Sequence, residues 1–401
     1  FAAEHSLLHG AQHGFVESRS TTTNLPICDS IIADCVSNNK PYDVLALDFQ
    51  KAFDKIPHSL STLGYFIRTS GKRCYRKILA VALQFSHWQI SMCAHRKYHL
   101  WAYRCRIRSH PGLYCWPKIF TIVLDSLLRR LRFPSLAFAD NVKIVADLSH
   151  YSPADVQIDH SPSACHGMPL SIVKSLVMHC GARNPNRDYL LQGKVLQTSD
   201  SFRDLGVTRS SLGNFNHHIA DMISNASRTS GAILKAFQHR SPAVSWQAFR
   251  TYVFPTVMYA SPVWSPYTVW ETDAVENVLR RFTKRLFGYS NKSYAERLID
   301  LRSLSLKDSR LLSDIVMLYK FVHGTYGCNL EDIGLSLQQG TTRGAGVRIQ
   351  QPAPTNCMAA SMFKFRAPSR WNKLPLQLLG YSLSGFKKHL KSHLLMCGEP
   401  N

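Results

Sequence analysis

"SLAFADNVKIV", residues 135–145, sets two short apolar runs on either side of Ala139, Asp140 and Asn141. Strand-forming runs flanking so short a polar step are the pattern of a tight hairpin, and the acid falls at its tip. A second run, "YDVLALDF" at 42–49, follows Asn39, Lys40 and Pro41, precedes polar sequence, and carries a second acid, Asp48, at its end. It reads as a buried central strand. A carboxylate at the edge of an apolar sheet needs a cation, a donor or water, and a shared divalent ion satisfies two carboxylates at once. Asp48 and Asp140 on neighbouring strands are therefore candidate ligands for Mg²⁺, in the arrangement that two-metal nucleotidyl transfer requires. Taken alone, Asp140 reads as a turn residue.

The composition sets the frame for that pair. A chain of 401 residues with 45% hydrophobic content is long enough for two or three domains with real cores. Its 48 Lys and Arg against 26 Asp and Glu give a formal charge of +22. Nucleic acid or an anionic membrane is the natural partner for such a surface, beside the plainer reading of an unspecialised basic exterior. The 11 cysteines are scattered from Cys28 to Cys397 with no Cys-x-x-Cys pair, which points to reduced thiols, mostly small buried hydrophobes, in an intracellular protein, nuclear or cytoplasmic. No apolar run is long enough to span a membrane, and "FAAEHSLLHG" has no basic region followed by an apolar one, so neither a membrane span nor secretion is expected. A start at Phe1 without Met reads as a fragment.

Along the chain, no repeat or low-complexity tract appears. Residues 85–109 alternate apolar and basic groups, as a half-solvated hairpin does. "PKIFTIVLDSLLRRL" (117–131) predicts a helix with Ile119, Ile122, Val123, Leu127 and Leu131 on its inner side. Residues 149–168 read as a loop, and "GKVLQTSDSFRDLGVTRS" as short strands. Helical patterns dominate from about residue 215. In "TDAVENVLRRFTKRLFG" the N-cap falls on Thr272 or Asp273 and the stop on Gly288, with Val275, Val278, Leu279, Phe282 and Leu286 inward. Arg280, Arg281, Lys284 and Arg285 form a basic flank, which reads equally as a solvated face or as a phosphate contact. "LKDSRLLSDIVMLYKFVHG" is a further long helix closed by Gly324, and "SLSGFKKHLKSHLLM" is amphipathic, with Phe386, Leu390 and Leu394 inward and Lys387, Lys388 and Lys391 outward. "QQGTTRGAGVRIQQPAPTN" reads as a linker.

"LALDFQKAFDKIPH" and "LAFADN", in that order, resemble motifs A and C of reverse transcriptases, most closely those of non-LTR (LINE, jockey-like) retrotransposons. "QHGFVESRSTTTNL" is similar to the family's fingers segment and "MPLSIVKSLVMHCG" to its motif D. "SFRDLGV", "TYVFPTVMYASPVWSP", "RRFTKRLFG" and "APSRWNKLPLQLL" are similar to the sequence that follows the polymerase in these elements, so the likeness runs through nearly the whole chain. The resemblance implies an α+β right-hand polymerase: a fingers remnant at 1–37, an antiparallel-sheet palm at 38–185, primer-grip-like strands and a mainly helical thumb at 186–336, a linker at 337–357 and a C-terminal helical segment at 358–401. It implies RNA-directed DNA synthesis with two Mg²⁺ ions, an RNA template, a DNA primer and dNTP. Asp48 matches the motif A acid and Asp140 the first motif C acid, both metal ligands. Phe53 matches the aromatic beneath the incoming sugar, where a 2′-hydroxyl would not fit. Lys174 matches the motif D lysine near the leaving pyrophosphate, and Arg19 a fingers arginine that contacts the triphosphate or template phosphate.

Two departures bear on activity. The family pattern has Phe-Ala-Asp-Asp, and Asn141 stands in the last place, offering the metal a carbonyl oxygen without a charge. The motif B segment "SHPGLYCWPKIF" matches through Pro111, Gly112, Pro117 and Phe120 only if one residue is deleted; the motif's Gln has no counterpart and Trp116 replaces a small Gly beside the substrate. "PHSLSTLGYFI" is also shorter than the family's segment after motif A, and the basic fingers sequence that precedes it in the family is absent before Phe1. The expectation is a retained fold with weakened or lost polymerisation, the alternative being a non-catalytic remnant that binds RNA or DNA.

Overall fold

The run from Tyr42 to Asp48 becomes the middle strand of the main sheet because it has apolar residues for two cores. In the computed structural model, which describes residues 9–50, most of 120–149, 170–237, 241–325, 327–339 and 347–397, this strand is β1 (Tyr42–Asp48). The sheet adds β2 (Ser135–Phe138), β3 (Asn141–Asp147), β4 (Leu176–Cys180) and, beyond the short β5 (Leu190–Leu191) and β6 (Lys194–Val195) pair, β7 (Gln197–Thr198). The strand order is β2-β3-β1-β4-β7, antiparallel except for the β4/β7 edge. Successive side chains of a strand face opposite ways. Tyr42, Val44 and Ala46 accordingly join one core with α1 (Thr21–Ser37) and the C-terminal helices. Leu45, Leu47 and Phe49 join another with Phe120, Leu124, Leu127 and Leu128.

The described positions between 120 and 128 are helical, as the sequence predicted, and the buried side takes in further residues beside Leu127 and Leu131 of the predicted stripe. Phe120, Leu124, Leu127 and Leu128 are buried there, and Leu131 is partly buried. Ile119, Ile122 and Val123 lie outside the described residues. The large ring decides the face: Phe120 packs edge-on against Phe49 with centroids 5.8 Å apart. The predicted hairpin at 85–109 lies outside the described residues, as does most of the loop at 149–168.

After the sheet, β8 (Ser201–Asp204) and β9 (Val207–Ser210) form a separate hairpin. Its turn residues Leu205 and Gly206 both have positive φ, 44° and 91°, as a tight turn between twisted strands demands. Two buried ion pairs fasten this hairpin. Arg209 pairs with Asp29 of α1 and stacks over Phe215, 4.5 Å from the ring centroid. Lys143, opposite Ala46 and Leu136 in the sheet, has a side chain that is 0% exposed and donates from Nζ to Asp204 Oδ2 at 2.7 Å and to Asn24 Oδ1 at 2.6 Å. One ammonium thus joins β3, α1 and β8.

The helical part comprises α2 (Asn216–Ala236), α3 (Pro242–Tyr252), α4 (Phe254–Met258), α5 (Ser261–Trp264), α6 (Val269–Lys284), α7 (Tyr294–Asp300) and α8 (Leu306–Val322). The C-terminal helices are α9 (Cys357–Ser361), α10 (Phe363–Asn372), α11 (Leu376–Leu379) and α12 (Leu383–Cys397). A third core gathers α2 to α6 around Phe249, Trp264, Leu279 and Phe282. The predicted inner stripe of α6 is buried, but its cap is Thr268, not Thr272 or Asp273. Thr268 accepts from Glu271 N and its own hydroxyl donates to Glu271 Oε2 at 2.6 Å, a reciprocal cap that starts the helix earlier. Glu276 on α6 then accepts from the backbone of Leu306 and Lys307 at 3.0 and 2.9 Å, fixing the start of α8.

The C-terminal helices return to the first core. Arg366 clamps the fully buried Asp314 of α8 through Nε and Nη2 at 2.9 and 2.8 Å, and Arg370 adds a bond of 2.9 Å. Lys364 reaches Asp34 of α1 at 2.6 Å. Phe386, Leu390 and Leu394 of α12 are buried, and Lys387, Lys388 and Lys391 are exposed. Cys28, Cys35, Cys180 and Cys328 are buried free thiols and Cys357 is exposed. Among the described residues no helix is long and apolar enough to cross a membrane.

Removing one partner of a buried pair leaves the other charge unsolvated. Lys143→Met is expected to destabilise the fold by about 3–5 kcal/mol. Lys143→Met with Asp204→Leu should regain most of that loss, read from urea denaturation midpoints.

Candidate active site

The β1–β3 register brings the two sequence acids to one end of the sheet. Asp48, the last residue of β1, is the cross-strand partner of Asn141, the first residue of β3. Phe138 pairs with Asn141, so Ala139 and Asp140 are the tip between β2 and β3. Asp48 and Asn141 lie on the sheet face that Lys143 and Ala46 share, by the same alternation that sorts the cores.

The turn is held in a demanding conformation. Ala139 has φ of +55°, a region that costs an L-residue about 1–2 kcal/mol. A stretch preceding α1 clamps it. His13 N donates to Ala137 O and Ala137 N to Ala11 O, each at 2.9 Å, and Asn24 Nδ2 adds a bond of 3.2 Å to Ala137 O. Gly14 then lies directly on the turn: a Cβ built there would sit 2.1 Å from Ala139 N. The backbone approaches this closely only because residue 14 has no side chain. His13 is buried, bonds Thr23 Oγ1 at 2.8 Å, and is pushed by burial, then by Arg19 and Lys143, down to about 3. Its ring is therefore neutral at physiological pH and adds no positive charge beside the turn.

The other wall is the segment from Leu170 to Ser175. Ser171 N donates to Asp48 O at 2.7 Å, and Asp48 N donates to Ser175 Oγ at 3.2 Å. Phe49 bridges to Leu170, and Gln50 Nε2 donates to Leu170 O at 3.3 Å. This wrap places Lys174 Nζ 3.5 Å from Asp48 Oδ2, a loose ion pair on a lysine whose side chain is 66% exposed. Asp48 Oδ1, in contrast, is buried with no hydrogen-bond partner among the described residues. A shielded carboxylate oxygen with no donor is a costly arrangement unless a cation takes it up.

Asp48 and Asp140 carry carboxylate oxygens and Asn141 an amide carbonyl, the ligand types that suit Mg²⁺, a hard ion that keeps several of its waters. Among the described residues no group of three or more His, Cys, Asp or Glu gathers as a ligand set. An ion here would complete its shell with water and substrate oxygens.

The remaining sequence candidates fall elsewhere. Arg19 donates from Nη1 to Gln12 O at 2.7 Å and to Gly10 O, and from Nη2 to Gly327 O at 3.1 Å, so its guanidinium ties the clamp segment to the loop after α8. Phe53, Pro111 and Gly112 lie outside the described residues. Sequence reasoning passed over Gly14, Ser175 and Lys143. Gly14 sat in a quoted segment, but its close approach to Ala139, 125 residues along the chain, left no local signal. The other two act through contacts more than 60 residues away, Lys143 with Asp204 and Asp48 with Ser175.

No model of a known protein family matches the chain. Among curated proteins it is similar to a retrovirus-related Pol polyprotein from type-1 retrotransposable element R2 of Popillia japonica, 27% identical over 193 residues. The match takes in 44% of this chain and spans 26% of that polyprotein. The likeness is thus to a part of a retrotransposon Pol polyprotein, and the chain spans about a quarter of that protein's length.

Gly14→Ala is expected to force the clamp off the turn at a cost of about 1–3 kcal/mol, the range for overpacking. Hydrogen exchange should show faster exchange at Ala137 and Ala139, with the third core unchanged.

Proposed function

We propose that this chain is the polymerase portion of a non-LTR, jockey-like retrotransposon reverse transcriptase, with its metal site weakened by Asn141. The observation that carries this is the facing of Asp48 and Asn141 across β1 and β3, with Asp140 at the tip and one Asp48 oxygen without a partner among the described residues. In this reading residues 1–37 are a fingers remnant, 38–185 the palm, 186–336 the primer-grip-like strands and helical thumb, 337–357 a linker and 358–401 a C-terminal helical segment. The partners are an RNA template, a DNA primer and dNTP.

The roles follow from the chemistry of the side chains. Asp48 and Asp140 would hold Mg²⁺, with Asn141 giving a neutral oxygen in place of a charged one. When bound, that ion polarises phosphoryl oxygens and eases deprotonation of an attacking 3′-hydroxyl. Lys174 balances Asp48 in the free protein, and its exposed, flexible stem lets it turn toward the leaving pyrophosphate and neutralise or protonate it. Phe53 would exclude a ribose 2′-hydroxyl, and Pro111 and Gly112 would lie beside the nascent base pair. The clamp through Gly14 and His13 and the wrap through Ser171 and Ser175 keep the acids fixed, which is the protein's part in preorganisation.

Asn141 also favours a second reading, a non-catalytic protein that binds RNA or DNA through its basic surface. Primer extension on an RNA template with Mg²⁺ separates the two. The parent is expected to extend slowly, Asp48→Ala to be silent, and Asn141→Asp to gain about tenfold or more, equivalent to about 1.4 kcal/mol. A folded parent that binds RNA, stays silent and is not rescued by Asn141→Asp would overturn the polymerase reading and leave the binding one.

A further inference from the structure

Helix α6 turns one face inward and, among the described residues, leaves most of the opposite face exposed. Val275, Val278, Leu279 and Phe282 are buried in the third core. At about 100° per residue, Trp270, Asn277, Arg281 and Lys284 line up on the opposite side, with Arg285 on its shoulder. Arg281, Lys284 and Arg285 are exposed, and among the described residues none of the three side chains has a hydrogen-bond or ion-pair partner. Arg280, in contrast, is engaged by Asp273 at 3.3 Å and by the ring of Tyr294, 5.3 Å away. That pairing also removes the acid at the edge of the stripe from play.

Exposed aromatic rings stand at the start of the helix and just past its end, with the three cations gathered near that end. Trp270 is 65% exposed and Tyr267 46% at the start, and Phe287 is 79% exposed just past the end. Trp270 and Lys284 are separated by about 21 Å along the axis, from the helical rise. Large rings held in water cost free energy unless something stacks on them, and a cationic cluster on the same face selects a polyanion. A lipid surface needs a broad apolar helix face, and the apolar face of α6 is already spent in the core.

We propose that the outward face of α6 is a docking surface for single-stranded nucleic acid. Arg281, Lys284 and Arg285 neutralise phosphates, while Trp270 and Phe287 stack on bases. The site deepens the polynucleotide reading above, but it needs neither the acid turn nor a metal.

The test is fluorescence anisotropy of the full chain with a labelled oligodeoxythymidylate, in EDTA, across a salt series. Arg281→Ala, Lys284→Ala and Arg285→Ala together should weaken binding and flatten the log–log salt slope by about 2, three phosphates' worth for a single strand. Trp270→Ala should weaken binding about fivefold or more with the slope unchanged, and Trp270→Phe should restore most of it. Lys387→Ala with Lys388→Ala on α12 should bind as the parent does. Unaltered binding in the triple variant and in Trp270→Ala would overturn the proposal. So would equal affinity for a duplex of the same length, or a preference for anionic phospholipid vesicles. Because the assay contains no metal and no nucleotide, a silent polymerase leaves it intact, and the two failures are distinguishable.

Discussion

A single ammonium group shut away from water organises this molecule. Lys143 has no solvent to fall back on, so its position is fixed by Asp204 and Asn24, and with it the relative placement of β3, the β8–β9 hairpin and α1. The same strand begins at Asn141, two residues earlier, opposite Asp48. A charge that must stay paired therefore sets the strand from which the acid turn projects. Arg209 with Asp29 repeats the device on the other strand of the hairpin. Buried ion pairs of this kind add less stability than apolar packing of equal volume, but they tolerate few alternative arrangements.

The acid turn combines restraint with an unmet demand. Gly14 and the bonds to Ala137 press Ala139 into a positive φ, and Ser171 and Ser175 grip the backbone of Asp48. Between these restraints, among the described residues, one Asp48 oxygen has no donor and the other a loose lysine. Rigid backbone around unsatisfied carboxylate oxygen is what a cation site needs, because the ion then meets ligands already in place. Lys174 fits the same logic, since a long, exposed side chain yields its place more readily than a buried one.

How far the sequence was legible followed the range of the interactions. The strand at 42–48 was readable because five of its seven residues carried apolar groups for both faces, and the hairpin because its pairing is local. The inner stripe of α6 was readable by period, yet its start was misplaced. Val269 and Trp270 are 80% and 65% exposed, so they break the apolar pattern within a helix that the cap at Thr268 begins. The helix near 120–128 was found, but periodicity alone did not reveal that Phe120 would turn its ring onto Phe49. For the candidate site, the acids and Lys174 stood out as residue types in a pattern. Gly14, Lys143 and Ser175 did not, because their meaning lies in partners far along the chain.

The account turns on whether the acid turn takes up a hard divalent cation. Titration of the folded chain with Mn²⁺, followed by electron paramagnetic resonance, reads this without substrate or turnover. The account predicts saturable binding that is lost in Asp48→Asn and tightened in Asn141→Asp, with the fold unchanged by circular dichroism. Binding that persists unaltered in Asp48→Asn, or its absence from both the parent and Asn141→Asp, would contradict it.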